Sequence, residues 1–474
     1  MDPKCVVGLD LRTPLNVSLS AFYRRSFAFH TVQKRMPVIL TQTIDILVRT
    51  KENIIKTYGE DAREELKTVI GELSKLKYEI QTNKPFRKLI GDKWDIRQYN
   101  KYLEVQSAII EYPNYYDSIW LHSECYMYRR MREAFELTNS LNEMDPFETQ
   151  KTQSFNGAKA LMERLGNYLL KKDGDKKLEF IRLLKLNLWG NKCDLSITNG
   201  VVSDEMEQLN ELEDLNANIL CDHSQDIWNV VSKIDKSEII DIVLDNTGYE
   251  LYTDLCLADF LITNKYTTKI RFYVKTIPWF ISDVLTKDFY WTLSQLNTSN
   301  DPALRTKIRF YVKTIPWFIS DVLTKDFYWT LSQLNTSNDP ALRNLSRRWL
   351  NYLDAKIWTI EEHDFWTLPV TYAEMTSYDV ELYRKLSEAK LIVFKGDLNY
   401  RKLFGEKNWS PETSIEEALQ GFHPSRLCSL RTLKADIICG LKEGVAEITE
   451  AKSEDWLVTG NYGVIQFCDK VLTV

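Results

Sequence analysis

No stretch of this chain holds the roughly 18 consecutive apolar residues that a membrane-crossing helix needs, so no membrane partner is expected. A basic footprint is missing as well. The 61 Lys and Arg are outnumbered by 67 Asp and Glu, for a net charge of −6, and no nucleic-acid partner is expected. The eight cysteines, scattered from Cys5 to Cys468, include no C-x-x-C. They read as reduced thiols of a cytoplasmic or nuclear protein, not as a zinc site. The five histidines (His30, His122, His223, His363, His423) lack H-E-x-x-H or any paired spacing, so a His-based metal centre is not expected. The N-terminus has no signal-type basic and apolar regions and carries Asp2 and Asp10, which argues against secretion.

Several catalytic loops are also missing. Without G-x-S-x-G there is no nucleophile elbow, and without G-x-x-x-x-G-K-[ST] there is no P-loop. No G-x-G-x-x-G follows a strand, so a dinucleotide or S-adenosylmethionine would lack its usual loop. Asp245-Asn246-Thr247 lacks the second Asp of a D-x-D aspartyl-phosphate motif.

What is present is a recurring strand that ends in a polar turn. Ile239 to Leu244 is a short, β-branched apolar run and reads as a buried strand. It stops at Asp245-Asn246-Thr247-Gly248, and a helix is expected from Tyr249. Lys269 to Lys275 is a second strand, followed by T-I-P-W-F-I-S and Asp283. Ala389 to Lys395 is a third, followed by G-D-L-N-Y-R. Ligands in open α/β sheets sit at the carboxyl ends of strands. Such Asp residues also serve as helix N-caps, but three strands ending alike favour a shared cation or phosphate site. Carboxylate and amide oxygens suit Mg²⁺ or Mn²⁺, and a cation there can bridge a phosphoryl oxygen and polarise a water.

The 474 residues have room for two or three domains. Residues 1–25 read as a loose extension, 26–196 as a helical domain, 197–235 as an acidic connection and 236–474 as the α/β domain. The helical part includes Ala62 to Ile80 and Ser118 to Leu137. The second of these is dense in aromatics and arginines and suits a domain interface, with anion recognition as the rival reading. Near the end of the helical domain, Gly190-Asn191 looks like a helix C-cap; the rival reading is that Asn191, Lys192 and Asp194 form a polar cluster lining a cleft.

Residues 268–305 recur without one change as 306–343. Two copies are too few for a solenoid, so this is a very recent exon-sized duplication or an error in how the gene's exons were assigned. A sheet has one slot for the unit, and only one of Asp283 and Asp321 can complete a given site. Asp283 has the shorter connection to the preceding βα unit.

In Gly396-Asp397-Leu398-Asn399-Tyr400-Arg401-Lys402, the glycine permits close backbone approach, and Arg401 and Lys402 offer cations for phosphate. The same residues also make a good turn and N-cap. Arg431-Thr432-Leu433-Lys434 is expected to open a helix, whose N-terminus together with Lys434 would attract phosphate.

Five motifs in order, W-G-N-K-C-D-L-S, L-D-N-T-G-Y-E, K-T-I-P-W-F-I-S-D, F-K-G-D-L-N-Y-R-K and R-T-L-K, resemble those of the damage-control phosphatases. The resemblance is to the subfamily with an R-T-x-K motif, also called acidic residue methyltransferase 1-like, and it spans about 26–470. It implies an all-α N-terminal domain packed on a three-layer α/β/α Rossmann-like domain, with a metal site at the strand C-terminal ends. It implies Mn²⁺ or Ni²⁺, with Mg²⁺ or Co²⁺ as substitutes, held by Asp245, Asn246 and Asp283 (or Asp321). Asp245, Asn246, Asp397, Leu398, Asn399, Tyr400, Arg401 and Lys434 would bind a small phosphorylated sugar such as fructose 1-phosphate or fructose 6-phosphate. Catalysis would fall to Asp245, Asn246 and Lys434. Some members are described as methyltransferases that use S-adenosylmethionine on protein carboxylates; Glu250 and Asp283 (or Asp321) would then contact that cofactor. A third reading is an inactive interaction protein disabled by the duplication.

Overall fold

Seven apolar runs meet in one sheet of order β1-β7-β6-β5-β2-β3-β4. The strands are β1 (Ile219–Asp222), β2 (Ile239–Val243), β3 (Lys269–Val274), β4 (Trp358–Glu362), β5 (Ala389–Lys395), β6 (Leu427–Thr432) and β7 (Gly463–Cys468). All neighbours are parallel except β6 and β7. This computed structural model describes residues 8–171, 174–196, 215–233, 238–282, 284–286 and 339–472.

The central strands are apolar on both faces because both are covered. Ile240, Ile242, Leu391 and Val393 pack with the helices Lys176–Ser196, Tyr249–Thr263 and Pro340–Asp354. Val243, Ile392 and Phe394 belong to the other core, with the helices Met36–Arg49, Ala62–Gln81 and Trp120–Glu136. Asp241 is the polar exception within β2. Its register partner Arg271 meets it with Nε and Nη2 at 2.7 and 2.9 Å. A one-residue slip would strand a buried carboxylate, so the pair pins the β2–β3 register.

The arginine-rich helix Trp120–Glu136 is buried nearly throughout, and its arginines point to internal acids. Arg129 binds Asp95 and Glu136, and Arg130 binds Glu79 and Glu133. Arg132 reaches Glu136. For these three, the packing role is the one observed.

Among the described residues, both copies of the repeat contribute elements. β3 comes from the first copy, whereas the helix Pro340–Asp354 begins on the last residues of the second. Asp339 caps it, accepting from the Ala341 and Leu342 amides at 2.8 and 3.0 Å, with Pro340 in the first turn. Both Asp283 and Asp321 lie outside the described residues.

Four expectations need correction. Residues 9–25 are not a loose extension: Leu19 and Ala21 are buried, and Leu19 bonds through its backbone to Glu406 and Trp120. The acidic connection contains β1 and the helix Ser224–Val231, so the sheet starts before residue 236. Gly190 does not end a helix, because Lys176–Ser196 runs through it. A Cβ at Gly190 would lie 3.0 Å from Glu250 Cα, so the glycine lets two helices approach closely. Arg431 and Thr432 close β6 rather than opening a helix. Leu433 continues by pairing with Tyr462 and Gly460 through its backbone, which removes the helix-terminus argument for phosphate.

Candidate functional site

β5, β2 and β3 are parallel neighbours, so the turns at their carboxyl ends share one edge. β2 runs out at Asp245, and Gly248 adopts φ +72° to start the helix Tyr249–Thr263. β5 runs directly into the helix Gly396–Leu403. Gly396 has φ +82°, and a Cβ there would sit 1.8 Å from Asp245 Oδ2. The Asp245 carboxylate therefore occupies space that only a glycine leaves open.

Asp245, Asn246, Glu250, Asp397, Arg401 and Lys434 line one cleft of about 220 Å³. Asn246 Nδ2 donates to Asp245 Oδ2 at 2.8 Å and to Glu250 Oε2 at 2.9 Å. Its Oδ1 accepts from the Ser282 hydroxyl. Ser282 and Val284 also bond to Thr247 and Asp245 through the backbone, at 2.8 Å each. This holds the P-W-F-I-S turn against the end of β2. The turn is strained: Phe280 and the β-branched Ile281 take φ +40° and +67°. Stacking of Phe280 on Tyr128 at 4.5 Å helps to hold it.

Beneath the acids lies Lys395, buried, with Nζ 2.9 Å from Asp254 and 3.4 Å from Glu250. Burial works against its charge, but the two carboxylates hold its pKa above the ordinary value. Burial pushes the Asp254 carboxyl up to about 6 despite that ammonium.

The G-D-L-N-Y-R block divides by helical geometry. Asp397, Leu398 and Arg401 reach the cleft; Asn399 and Tyr400 are not on its wall. Successive helical residues are about 100° apart, so five consecutive side chains cannot share one cleft. Asn399 is bonded to Tyr372 and to the Lys395 carbonyl. The Tyr400 ring packs under Arg431, 4.1 Å from its guanidinium carbon. Lys402 is also turned away, to the carbonyls of Trp366 and Leu368 at 2.7 Å. Arg401 is already engaged, with Glu124 and Glu406 each at 2.7 Å and the Trp120 ring 3.7 Å away. Asp397 accepts from Arg431 Nε at 2.7 Å.

A divalent cation fits the chemistry of the donors. Asp245 and Asn246 offer hard oxygens, and the Gly396 backbone leaves the Asp245 carboxylate its room. No cluster of three or more His, Cys, Asp or Glu able to hold a metal occurs among the described residues. The third expected donor, Asp283, is not among them.

Sequence reasoning missed Arg35, Trp120, Glu124, Phe280 and Ser282 on the cleft wall. Trp120 and Glu124 were legible as an i, i+4 pair on one helical face, but nothing local says which face meets the cleft. No described helix is long and apolar enough to cross a membrane.

This is an α/β protein whose acid-and-amide cleft opens at the carboxyl ends of parallel strands, and comparison with known sequences narrows the class. The family model of the damage-control phosphatase ARMT1-like domain matches residues 31–305 and 300–449. The chain is 38% identical over 469 residues to damage-control phosphatase ARMT1 of Danio rerio, covering 95% of this chain and 96% of that protein. It is 38% identical to the Homo sapiens protein, at 95% and 98% coverage, and 39% identical to the Bos taurus protein at the same coverage. The chain belongs to the damage-control phosphatase ARMT1-like family. A DUF89 family protein from Pyrococcus horikoshii aligns with a TM-score of 0.36 at 14% identity, over 80% of this chain and 91% of that one, too distant to support an argument.

Proposed function

We propose that this protein is a metal-dependent phosphatase of small sugar phosphates, such as fructose 1-phosphate and fructose 6-phosphate. One observation carries the reading: Asp245, Asn246, Asp397 and Lys434, drawn from three separate strand ends, line a single cleft. Asp245 and Asn246, with Asp283, would hold a divalent cation such as Mn²⁺ or Ni²⁺. When bound, that cation supplies Lewis-acid neutralisation of the phosphoryl group.

The chain's own residues do the rest. Lys434 sits on the loop after β6 with no carboxylate partner among the described residues, and its ammonium meets phosphoryl oxygens. Glu250 and Asp245 share the Asn246 amide, so the carboxamide is oriented before any ligand arrives. Asp397, steadied by Arg431, presents a carboxylate to sugar hydroxyls. Leu188, Leu398 and Leu430 give the cleft an apolar flank that suits the carbon skeleton of a small metabolite and limits water.

The test is phosphate release from fructose 1-phosphate with and without Mn²⁺, beside a form lacking 306–343. That deletion places Asp301–Arg305, identical to Asp339–Arg343, directly before Asn344, so the capped helix start is restored. Metal-dependent release by the shortened form is expected. Silence from both forms, with folded protein, would sink the reading.

A further inference from the structure

Of the cations on the cleft wall, Arg35 comes from the N-terminal helices and is the one no motif points to. Arg401 is neutralised by Glu124 and Glu406. Among the described residues, Arg35 has no carboxylate within ion-pair distance. Its guanidinium carbon stands 5.4 Å over the Phe27 ring.

The local sequence explains how it is presented. Phe27 to Arg49 winds continuously, but Thr31–Arg35 is a π-helical turn. The Met36 amide donates to the Thr31 carbonyl, five residues back. Pro37 follows directly. It has no amide hydrogen, and its ring crowds the carbonyl four residues earlier, so the turn before it widens. The widened turn is docked where phosphate chemistry is expected. The Phe27 amide donates to Asp436 Oδ2 at 2.9 Å, two residues beyond Lys434. The Phe27 ring meets Trp120 edge-on at 5.8 Å, and Trp120 carries the stacked Arg401 on the cleft wall.

We propose that Arg35 binds the phosphoryl oxygens of the substrate, as a second cation beside Lys434. A planar guanidinium matches two oxygens of a phosphate at once, and its stack on Phe27 pre-orients it. This inference rests on the phosphatase reading above.

The experiment uses the full chain with Mn²⁺ present, as wild type, Arg35→Ala and Arg35→Lys. It reads kcat and KM for fructose 1-phosphate, inhibition by orthophosphate, and Tm. Loss of a charge-assisted bond predicts that Arg35→Ala raises KM and the orthophosphate inhibition constant together, by roughly tenfold or more. Tm should stay close to wild type because the side chain is exposed. Arg35→Lys should recover part of the loss, since it restores charge without the fork. A variant with wild-type KM and wild-type orthophosphate inhibition overturns the proposal. So does a lowered Tm with both constants unchanged, because Arg35 would then be structural. If wild type itself neither turns over sugar phosphates nor binds orthophosphate, the phosphatase reading falls first and takes this inference with it.

Discussion

Gly396 leaves the space that Asp245 fills: a Cβ at 396 would come 1.8 Å from Oδ2 and 2.2 Å from Cγ of that carboxylate. Gly396→Ala must therefore displace Asp245 or shift the start of the following helix, and it adds strain at φ +82°. A displacement near 1 Å costs on the order of 100-fold in rate. We expect kcat/KM for sugar phosphate to fall by about that factor while the far-ultraviolet circular dichroism is retained. Wild-type kinetics in the alanine variant would show that Asp245 does not need this position.

Lys434 and Asp245 should separate an enzyme from an inert binding protein. Lys434→Ala removes a cation from the cleft wall and should lower kcat by roughly 100- to 1,000-fold. Asp245→Ala should abolish metal-dependent turnover. Phosphate release measured on folded variants decides this; turnover that survives both changes removes these residues from the chemistry.

Arg401 tests the boundary between substrate binding and structure. It is buried between Glu124 and Glu406, and burial raises the Glu406 carboxyl against the pull of Arg401. Glu406→Gln weakens the charge-assisted bonds to Arg401 while Glu124 remains as its acid partner, and should destabilise the fold by about 2 kcal/mol. The measurement is the urea unfolding midpoint. An unchanged midpoint would mean that this pairing contributes little and that Arg401 is held chiefly by its stack on Trp120.

His122 sets an acid limit. Its ring is buried against Phe86 and Tyr102, with centroids 4.7 Å from each, and neither ring nitrogen has a partner. Burial pushes its pKa down to about 3 from 6.5. The unfolded chain takes up a proton near pH 6.5 while the native chain stays neutral. The contribution to stability is thus full above pH 6.5 and lost as pH falls toward 3, by up to about 5 kcal/mol. His122→Phe should flatten this part of the stability-against-pH curve and cost little at pH 7. Parallel curves for the two proteins would contradict the assignment.

Much of the fold was legible because its signals are local. The runs at 239–244, 269–275 and 389–395 became strands, and Tyr249 did start a helix. Turn chemistry at Asp245 to Gly248 marked the edge of the sheet on which the cleft lies. The misreadings came where a local signal competes with a distant partner. Gly190 looked like a helix end, yet it answers a contact with Glu250. Arg431 and Lys434 looked like a helix start, yet β7 claims Arg431 through its pairing with Val464. Residues 9–25 have little pattern of their own and are ordered by the loop around Glu406.

The sequence by itself determined the α/β class, the family, and the candidate residues Asp245, Asn246, Asp397 and Lys434, because strand periodicity and turn residues act over a few positions. Only the tertiary structure decided which of them share a cleft. It withdrew Asn399 and Tyr400 from the cleft wall and set Arg401 between two acids. It brought in Arg35 from more than two hundred residues away in the chain. It also drew β3 from one copy of the repeat and the capped helix from the other. Identical copies carry identical local preferences, so no local rule says which copy supplies the strand and which the helix.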